Sequence, residues 1–401
     1  MPDFGGDALA DFRAQARAWL EENFPQSLRF DPAAQLSAMM GGEPSPDAAQ
    51  WARRMGEKGW GTPTWPTAYG GSGLSRAEAR ALAEEMAQVG ARNPIGGMGV
   101  MMFGPTLLEV GTEDQKRRHI PPIVRGELRW CQGYSEPGAG SDLASLQTRC
   151  EDKGDHWLIN GQKIWTSGAN LADWCFCLVR SDPKAKKHEG ISFVLIDMHQ
   201  PGVETRPIKL IAGSSPFCET FFTNARAEKN DMVGPLNGGW TIAKRLLQHE
   251  RAGLSTAVSA ARAEVKVQMP DLAKQYVGVD ETDRIEDADL RRRIIAFEME
   301  AKALRLTHSR SAAEARGNQG PRATTSILKN VGSFIRRDGA ELTAEVMGYR
   351  GLAWDGDPFT PEEIASVRNL FHSKAGTIAG GSQEVQLNII AKRILGLPDP
   401  A

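Results

Sequence analysis

One carboxylate, Glu250, stands within an apolar run in the segment LLQHERAGLS, residues 246–255. Its apolar neighbours recur at helical spacing and predict one face of a long helix: Trp240, Ile242, Ala243, Leu246, Leu247, Leu254, Ala257 and Val258. Glu250 stands four residues from a leucine on either side, so we expect it on the same face. Removal from water raises the pKa of a carboxylate, which suits a general base that takes a weakly acidic proton. The alternative is a structural acid paired with Arg251 or Lys244.

A second candidate is the cluster of glycine and polar residues GYSEPGAGSDLAS, residues 133–145. Glycine lets backbone N–H groups approach a ligand closely, and Ser135 and Ser141 add hydroxyl groups. This composition favours a loop that binds a ligand through its backbone. A simple turn between two strands has the same composition and stays an alternative.

Two further segments could contact a flat or anionic ligand. In GQKIWTSGAN, residues 161–170, Trp165 offers a face for stacking an aromatic ring, with Thr166 and Ser167 as donors at its rim. The alternative is a tryptophan in a sheet core. In AGGSQEVQLNIIAKRILGLP, residues 379–398, two glycines precede Ser382 and predict a helix entry whose exposed amides favour an anion. An ordinary capped helix is the alternative there.

The elements that position these residues change along the chain. Amphipathic segments such as ALADFRAQARAWLEENF predict helices over residues 1–128. Short runs rich in β-formers, including WCFCLVRSD and GISFVLIDM, predict a mostly antiparallel β domain over 129–235. Helical patterns return over 236–401. Alternating βαβ units are missing, which argues against a doubly wound nucleotide fold.

Bulk composition excludes several function classes. The 401 residues are 41% hydrophobic and 24% charged, with a formal charge of -2, which argues against a nucleic-acid partner. The N-terminus lacks the pattern of a signal peptide, and no apolar run reaches the length of a membrane span. Five scattered cysteines indicate reduced thiols in the cytoplasm. Cys175 and Cys177 alternate with apolar residues, so we interpret them as strand residues and predict no metal site.

In this order and spacing, the three glycine-containing clusters resemble the acyl-CoA dehydrogenase family of flavoproteins. The most specific match is SEPGAGSD, residues 135–142, and further matches are Gln162 to Ser167, GVETRPIKL, MVGPLNGGW and NIIAKRILGLP. The resemblance covers nearly the whole chain. It implies an α+β fold with an N-terminal helical domain, a middle antiparallel β domain and a C-terminal four-helix bundle. It also implies bound FAD and a tetramer.

The resemblance assigns site residues by position. Those implied to bind FAD are Gln132, Tyr134, Ser135, Gly140, Ser141, Trp165, Thr166, Ser167, Glu345, Gly348, Ser382 and Glu384. Those implied to contact the substrate are Ser141, Arg251, Gly380 and Gly381. The implied reaction is α,β-dehydrogenation of an acyl-CoA to the 2-enoyl-CoA, in which a carboxylate takes the α-proton and the β-hydride goes to flavin N5. A flavin ribityl hydroxyl and the Gly380 N–H would polarise the thioester carbonyl.

One departure from the family concerns the base. Most relatives carry a glutamate where this chain has Gly380, and glycine cannot accept a proton. A minority branch, which includes isovaleryl-CoA dehydrogenase, carries the base on the long C-terminal helix directly before an arginine. Glu250 followed by Arg251 is similar to that arrangement, so we predict Glu250 as the catalytic base.

Other departures concern assembly and partners. The arginine-x-glutamine-phenylalanine-glycine element that reaches a neighbouring subunit's FAD has no clean equivalent in KVQMPDLAKQYVGVDETD, and Glu345 stands where a glutamine is common. The resemblance therefore implies a homotetramer or a heterotetramer that passes electrons to an electron-transfer flavoprotein in fatty acid β-oxidation. Alternatives are an acyl-CoA oxidase, another CoA-thioester elimination, and a non-catalytic partner subunit. Branched and ring-bearing acyl groups stay open.

Overall fold

The computed structural model describes residues 6–36, 42–249, 268–316 and 324–398. Two compact units divide these residues. The first contains the chain up to Ile208 together with Pro216–His249, and the second contains Lys209–Ser215 and the described residues from 268 onward.

Helices form the beginning of the first unit. They are α1 (Gly6–Asn23), α2 (Pro32–Leu36), α3 (Pro46–Glu57), α4 (Arg76–Val89), α5 (Gly104–Val110) and α6 (Glu113–Val124). Capping boxes begin α4 and α6, where Ser75 and Thr112 exchange bonds with the residues three positions later. A buried apolar cluster that includes Leu20, Trp51 and Met55 holds α1 and α3 together. The predicted N-terminal helical region is confirmed.

A mixed sheet follows these helices. Its strands are β1 (Trp130–Gly133), β2 (Arg149–Asp152), β3 (His156–Ser167), β4 (Trp174–Arg180), β5 (Ile191–Asp197), β6 (Val203–Ile208), β7 (Phe217–Glu228) and β8 (Met232–Val233). Among the described residues the order is β6-β7-β3-β2-β4-β5-β8, with β1 beside β4. Most pairings are antiparallel as predicted, but β1 and β2 each pair with β4 in parallel. Neither parallel pair is consecutive in the chain, since β2 and β3 lie between β1 and β4, and β3 lies between β2 and β4, so no hairpin joins the partners.

The central strands of the sheet are buried. β4 and β5 are almost continuously buried, as expected for strands covered on both faces. Cys175 and Cys177 are fully buried thiols of β4. A hydrogen bond with Cys131 raises the pKa of Cys175, and burial raises that of Cys177, in both cases well above the usual range. Because both residues lie on β4, their interpretation as strand residues is confirmed. In the described part of the chain no group of histidine, cysteine or acidic residues could hold a metal.

After the sheet, residues 239–249 of the first unit form α7.

Helices also form the second unit. They are α8 (Met269–Tyr276), α9 (Ala288–Arg316), α10 (Thr324–Val346), α11 (Pro361–Ser373) and α12 (Gln383–Ile389). The central helix α10 packs against α8, α9 and α11. Apolar residues such as Ile294, Leu342 and Val346 form a core between these helices. The predicted order of helices, sheet and helices is thus confirmed. None of the described helices combines the length and apolarity needed to cross a membrane.

Candidate functional site

The glycine cluster forms an open loop between β1 and β2. Glu136 and Ala139 exchange two backbone hydrogen bonds of 3.0 Å each, which close a tight turn at its start. A Cβ atom added at Gly138 or Gly140 would meet no other atom within 4 Å, so the backbone there faces open space. Ser141 is exposed. A ligand can therefore reach the backbone of this loop directly.

The beginning of the loop is anchored in the sheet. The ring of Tyr134 is buried edge-on against Phe176 and Phe193, at centroid distances of 6.2 and 6.5 Å. The Ser135 carbonyl accepts a hydrogen bond of 2.9 Å from the Ile164 N–H of β3. The Tyr134 ring points into the core and its carbonyl accepts a hydrogen bond from Lys163, so Tyr134 anchors the beginning of the loop, and its contact with FAD stays a prediction. The Ser135 bond brings the loop next to the end of β3.

The end of β3 presents Trp165 outward. A register shift between Lys163 and Thr166 interrupts the pairing with β7, and Trp165 has φ +60°, a left-handed conformation that non-glycine residues rarely adopt. Trp165 is 54% exposed. A place in the sheet core is therefore excluded, and the indole is available for stacking. Ser167, half-buried, ends the strand.

Two buried polar groups near the junction of the glycine loop and the end of β3 have no partner among the described residues. Thr166 is fully buried, and its Oγ1 makes no hydrogen bond there. Gln132, on β1 and half-buried, likewise has a buried Nε2 without an acceptor in the described residues. Unsatisfied buried polar groups are costly and therefore rare. Both groups would be satisfied by a ligand that carries hydrogen-bonding atoms on the edge of a ring.

The sequence patterns did not single out Lys163 and Glu136, two residues of these motifs that form a buried ion pair. Lys163 is fully buried, and its Nζ donates to Glu136 Oε1 at 2.8 Å. Burial opposes ionisation of Glu136, but Lys163 and the bonds from Thr148 and Gln147 outweigh it and lower the pKa of this carboxyl below its usual value. The alternation of β3 could have identified Lys163, because it shares the inward period of Trp157 and Ile159.

The helix predicted to carry the base begins as expected. Residues 239–249 form α7, and its apolar face is buried through Ile242, Ala243 and Leu246. Along the edge of this face Arg245 and His249 both bond to Glu109 of α5, with His249 Nε2 3.1 Å from Glu109 Oε1. These contacts hold α7 up to its last described residue. Glu250 and Arg251 lie outside the described residues.

In the second unit, Gly380 and Gly381 form a turn with positive φ values of 69° and 95°. The Gly380 carbonyl accepts a bond of 2.8 Å from Gln386 Nε2, and the Gly381 carbonyl accepts one from Lys329. Burial lowers the pKa of the Lys329 ammonium, with Arg336 adding to the effect. The turn is therefore held by side chains through its carbonyl groups. Its left-handed backbone suits glycine and disfavours a glutamate at 380.

The other C-terminal candidates lie near the surface of this unit. Ser382 begins α12, but its hydroxyl bonds to the exposed Glu384 instead of capping the helix, and that bond lowers the pKa of Glu384. Glu345 pairs with Arg293 through both carboxylate oxygens. Gly348 is exposed with φ +54°.

Comparisons with known proteins agree with this arrangement. The family models for the N-terminal, middle and C-terminal domains of acyl-CoA dehydrogenase match residues 7–127, 131–225 and 237–395. Acyl-CoA dehydrogenase IpdE1 of Mycobacterium tuberculosis is 36% identical over 400 residues, covering 98% of this chain and 99% of that protein. The chain therefore belongs to the acyl-CoA dehydrogenase family. It is an oxidoreductase.

Solved structures give the same fold. A protein described as the Tcur3481-Tcur3483 steroid ACAD has a TM-score of 0.74 at 29% identity, covering 98% of both chains. The ChsE4-ChsE5 complex from Mycobacterium tuberculosis has a TM-score of 0.73 at 28% identity, also covering 98% of both chains. Enzymes of this family depend on FAD. The unpartnered groups of Thr166 and Gln132 and the exposed face of Trp165 fit a flavin.

The hydroxyl of Thr166 provides a direct test of this fit. In Thr166→Val we expect FAD to bind about tenfold more weakly, because one hydrogen bond to the cofactor is worth about 1 to 1.5 kcal/mol. The thermal stability of the apoprotein should not fall, since valine removes a buried hydroxyl that has no partner in the described residues. Fluorescence titration of the apoprotein with FAD measures the affinity.

Thr62 provides the matched control. It is 2% exposed, and its Oγ1 also lacks a partner among the described residues, but it lies outside the loop and the strand end. Thr62→Val should leave FAD affinity unchanged. Equal weakening in both variants would show that Thr166 affects only the packing of the protein.

Proposed function

We propose that this chain is an FAD-dependent acyl-CoA dehydrogenase that converts an acyl-CoA to the 2-enoyl-CoA with Glu250 as base. The observation that supports this most directly is the junction of the glycine loop and β3. There the Ser135–Ile164 hydrogen bond brings an accessible backbone next to an exposed indole and a buried unpartnered hydroxyl. Such a surface suits a planar ring system with polar edges.

Each proposed residue has a role in the reaction. FAD, when bound, supplies the acceptor for the β-hydride. Glu250 takes the α-proton, since the sequence predicts this carboxylate on an apolar helix face and removal from water favours the protonated form of a carboxylate. The Gly380 N–H donates to the thioester carbonyl, which stabilises the enolate charge that develops as the proton leaves. Ser141 and Arg251 are proposed to contact the CoA part of the substrate.

The glycine turn supports the role proposed for Gly380. A donor stabilises developing charge only if it is already oriented before the reaction begins. Gln386 and Lys329 hold the carbonyls of Gly380 and Gly381, in the two peptide groups that follow the Gly380 N–H, which limits rearrangement of the turn next to this donor. In addition, an acid at this position would require a left-handed backbone. This supports a donor role for position 380 and a base elsewhere in the chain.

We further propose that the acyl group is bulky and ring-bearing. The support is the similarity over 98% of the chain to a protein described as a steroid ACAD. A straight-chain substrate of β-oxidation is the alternative. A ring-bearing acyl-CoA should have a kcat/KM at least about tenfold higher than that of octanoyl-CoA, since pocket shape contributes 10- to 200-fold per small group.

A second candidate is a partner subunit in a heterotetramer. Two structural relatives are described by two names each, Tcur3481-Tcur3483 and the ChsE4-ChsE5 complex. The missing intersubunit FAD element in this sequence is consistent with a mixed assembly. In either assembly we propose that electrons leave to an electron-transfer flavoprotein.

One preparation distinguishes these proposals. The purified chain is incubated with FAD, its visible spectrum is recorded, and acyl-CoA thioesters are added without oxygen. Bleaching of the flavin with formation of the 2-enoyl-CoA is the expected result. Bound flavin without bleaching by any thioester would contradict the dehydrogenase. A chain that binds no FAD alone would support the partner subunit, and stoichiometric peroxide in air would support the oxidase.

A further inference from the structure

Lys163 is a buried cation in the middle of β3. None of its surface is exposed, although an ammonium ion is strongly hydrated in water. Its Nζ donates to the Tyr134 carbonyl at 3.0 Å and to Glu136 Oε1 at 2.8 Å. Burial of an ion pair is only tolerated with additional hydrogen bonds of good geometry. Both contacts of Lys163 are to the glycine loop.

Glu136 joins the two ends of that loop. It is 8% exposed, and its carboxylate accepts the backbone N–H of Gln147 at 2.6 Å and that of Thr148 at 2.9 Å. Residues 136 and 148 are therefore held together by one side chain. The segment between them includes the exposed Ser141, while its two ends are fixed.

Arg180 supports the same loop from β4. It is 8% exposed and donates to the carbonyls of Ala144 at 2.6 Å and Leu146 at 3.3 Å. These bonds tie the returning half of the loop to the sheet. Lys163 and Glu136 differ from Arg180 because they also tie the beginning of the loop, next to the Ser135–Ile164 bond.

We propose that Lys163 and Glu136 are positioning residues that fix Ser135 and the glycine loop relative to Thr166. The inference rests on the proposed FAD-dependent function. Lys163 and Ile164 are neighbours on β3, and together they hold the carbonyls of Tyr134 and Ser135. Without Lys163, the Glu136 carboxylate has no counter-charge and the loop opens to let water reach it. The glycine loop and the end of β3, which would hold the flavin, then lose their alignment.

Three variants and one control test this role in the full-length chain. Lys163→Met leaves the Glu136 carboxylate without its counter-charge. Glu136→Gln removes the charge of that carboxylate, and the double variant removes both charges. Glu85→Gln is the control, because Glu85 is 1% exposed and accepts bonds from Arg13 and Arg17 of α1, away from the loop. For each protein we would measure FAD affinity, the visible spectrum of bound flavin, the melting temperature and amide exchange of residues 134–148 in the apoprotein.

The double variant separates positioning from stability. We expect Lys163→Met to melt at a lower temperature, to exchange the amides of Gln147 and Thr148 faster and to bind FAD at least about tenfold more weakly. In the double variant the melting temperature should largely recover, since no unpaired charge is buried. FAD affinity and the flavin spectrum should stay altered, because the Tyr134 carbonyl still lacks its donor. Glu85→Gln should lower the melting temperature only.

Two results would overturn the proposal. One is recovery of FAD affinity together with the melting temperature in the double variant, which would mean that the pair acts on stability alone. The other is a normal flavin spectrum in Lys163→Met despite faster amide exchange in the loop. A wild-type chain that binds no FAD would instead contradict the proposed function, and the positioning role with it.

Discussion

Glu250→Gln is expected to bind FAD like the wild type but to lose roughly 10³-fold in the rate of flavin bleaching by substrate, within the range for loss of a general base. Glutamine has nearly the shape of glutamate but cannot accept the α-proton. Anaerobic stopped-flow mixing with an acyl-CoA measures the rate directly. Substrate affinity should change much less, because the carboxylate acts mainly in the transition state.

The control for this prediction is the same chemical change at an exposed site. Glu57, the last residue of α3, is exposed, and Glu57→Gln should leave the bleaching rate unchanged. A Glu250→Gln enzyme within about twofold of the wild-type rate would exclude Glu250 as the base. Loss of FAD from the variant would instead point to a structural acid.

The second large effect concerns acid stability and His119. This side chain of α6 is 1% exposed, and its ring meets Trp130 and Trp174 edge-on at 5.1 and 5.0 Å. Neither ring nitrogen has a hydrogen-bond partner among the described residues. Burial, with a contribution from Arg118, lowers the pKa of His119 to about 3. The native protein therefore holds this imidazole neutral.

The direction of the pH effect follows from this pKa. The unfolded chain takes up a proton on His119 as the pH falls below about 6.5, whereas the folded chain does not until about pH 3. The contribution of the neutral His119 to the free energy of unfolding is therefore fully present above pH 6.5 and is lost as the pH falls toward 3. Between pH 7 and pH 4 the loss from this residue is about 3 kcal/mol, at about 1.4 kcal/mol for each pH unit below 6.5.

His119→Phe should remove this part of the acid sensitivity. Phenylalanine keeps an aromatic ring in the site and cannot be protonated. Between pH 7 and pH 4 the free energy of unfolding of the variant should therefore fall by about 3 kcal/mol less than that of the wild type. Melting temperatures at matched protein concentration and several pH values test this. His372→Gln, at an exposed position, should follow the wild-type curve. Parallel curves for wild type and His119→Phe would refute the prediction.

Local patterns predicted most of the architecture. The amphipathic segments before residue 128 and after 235 form helices, and the β-rich runs between them form the sheet. Helical spacing also predicted the buried face of α7 as far as Leu246. These patterns succeed because burial of one face imposes a period of 3.6 on helices and 2 on strands. The parallel pairing of β1 with β4 was not predicted, since strand partners depend on distant parts of the chain.

The sequence by itself determined the family, through the string SEPGAGSD, and it determined that position 380 cannot be the base, because glycine has no acid. It left open whether Trp165 is buried or exposed, and it did not reveal the pair of Lys163 and Glu136. The tertiary structure decided both. A strand bulge turns Trp165 outward, and sheet register places Lys163 against a carboxylate 27 positions earlier in the chain. Such contacts are set by register and packing between distant segments, which no local pattern of residue types encodes.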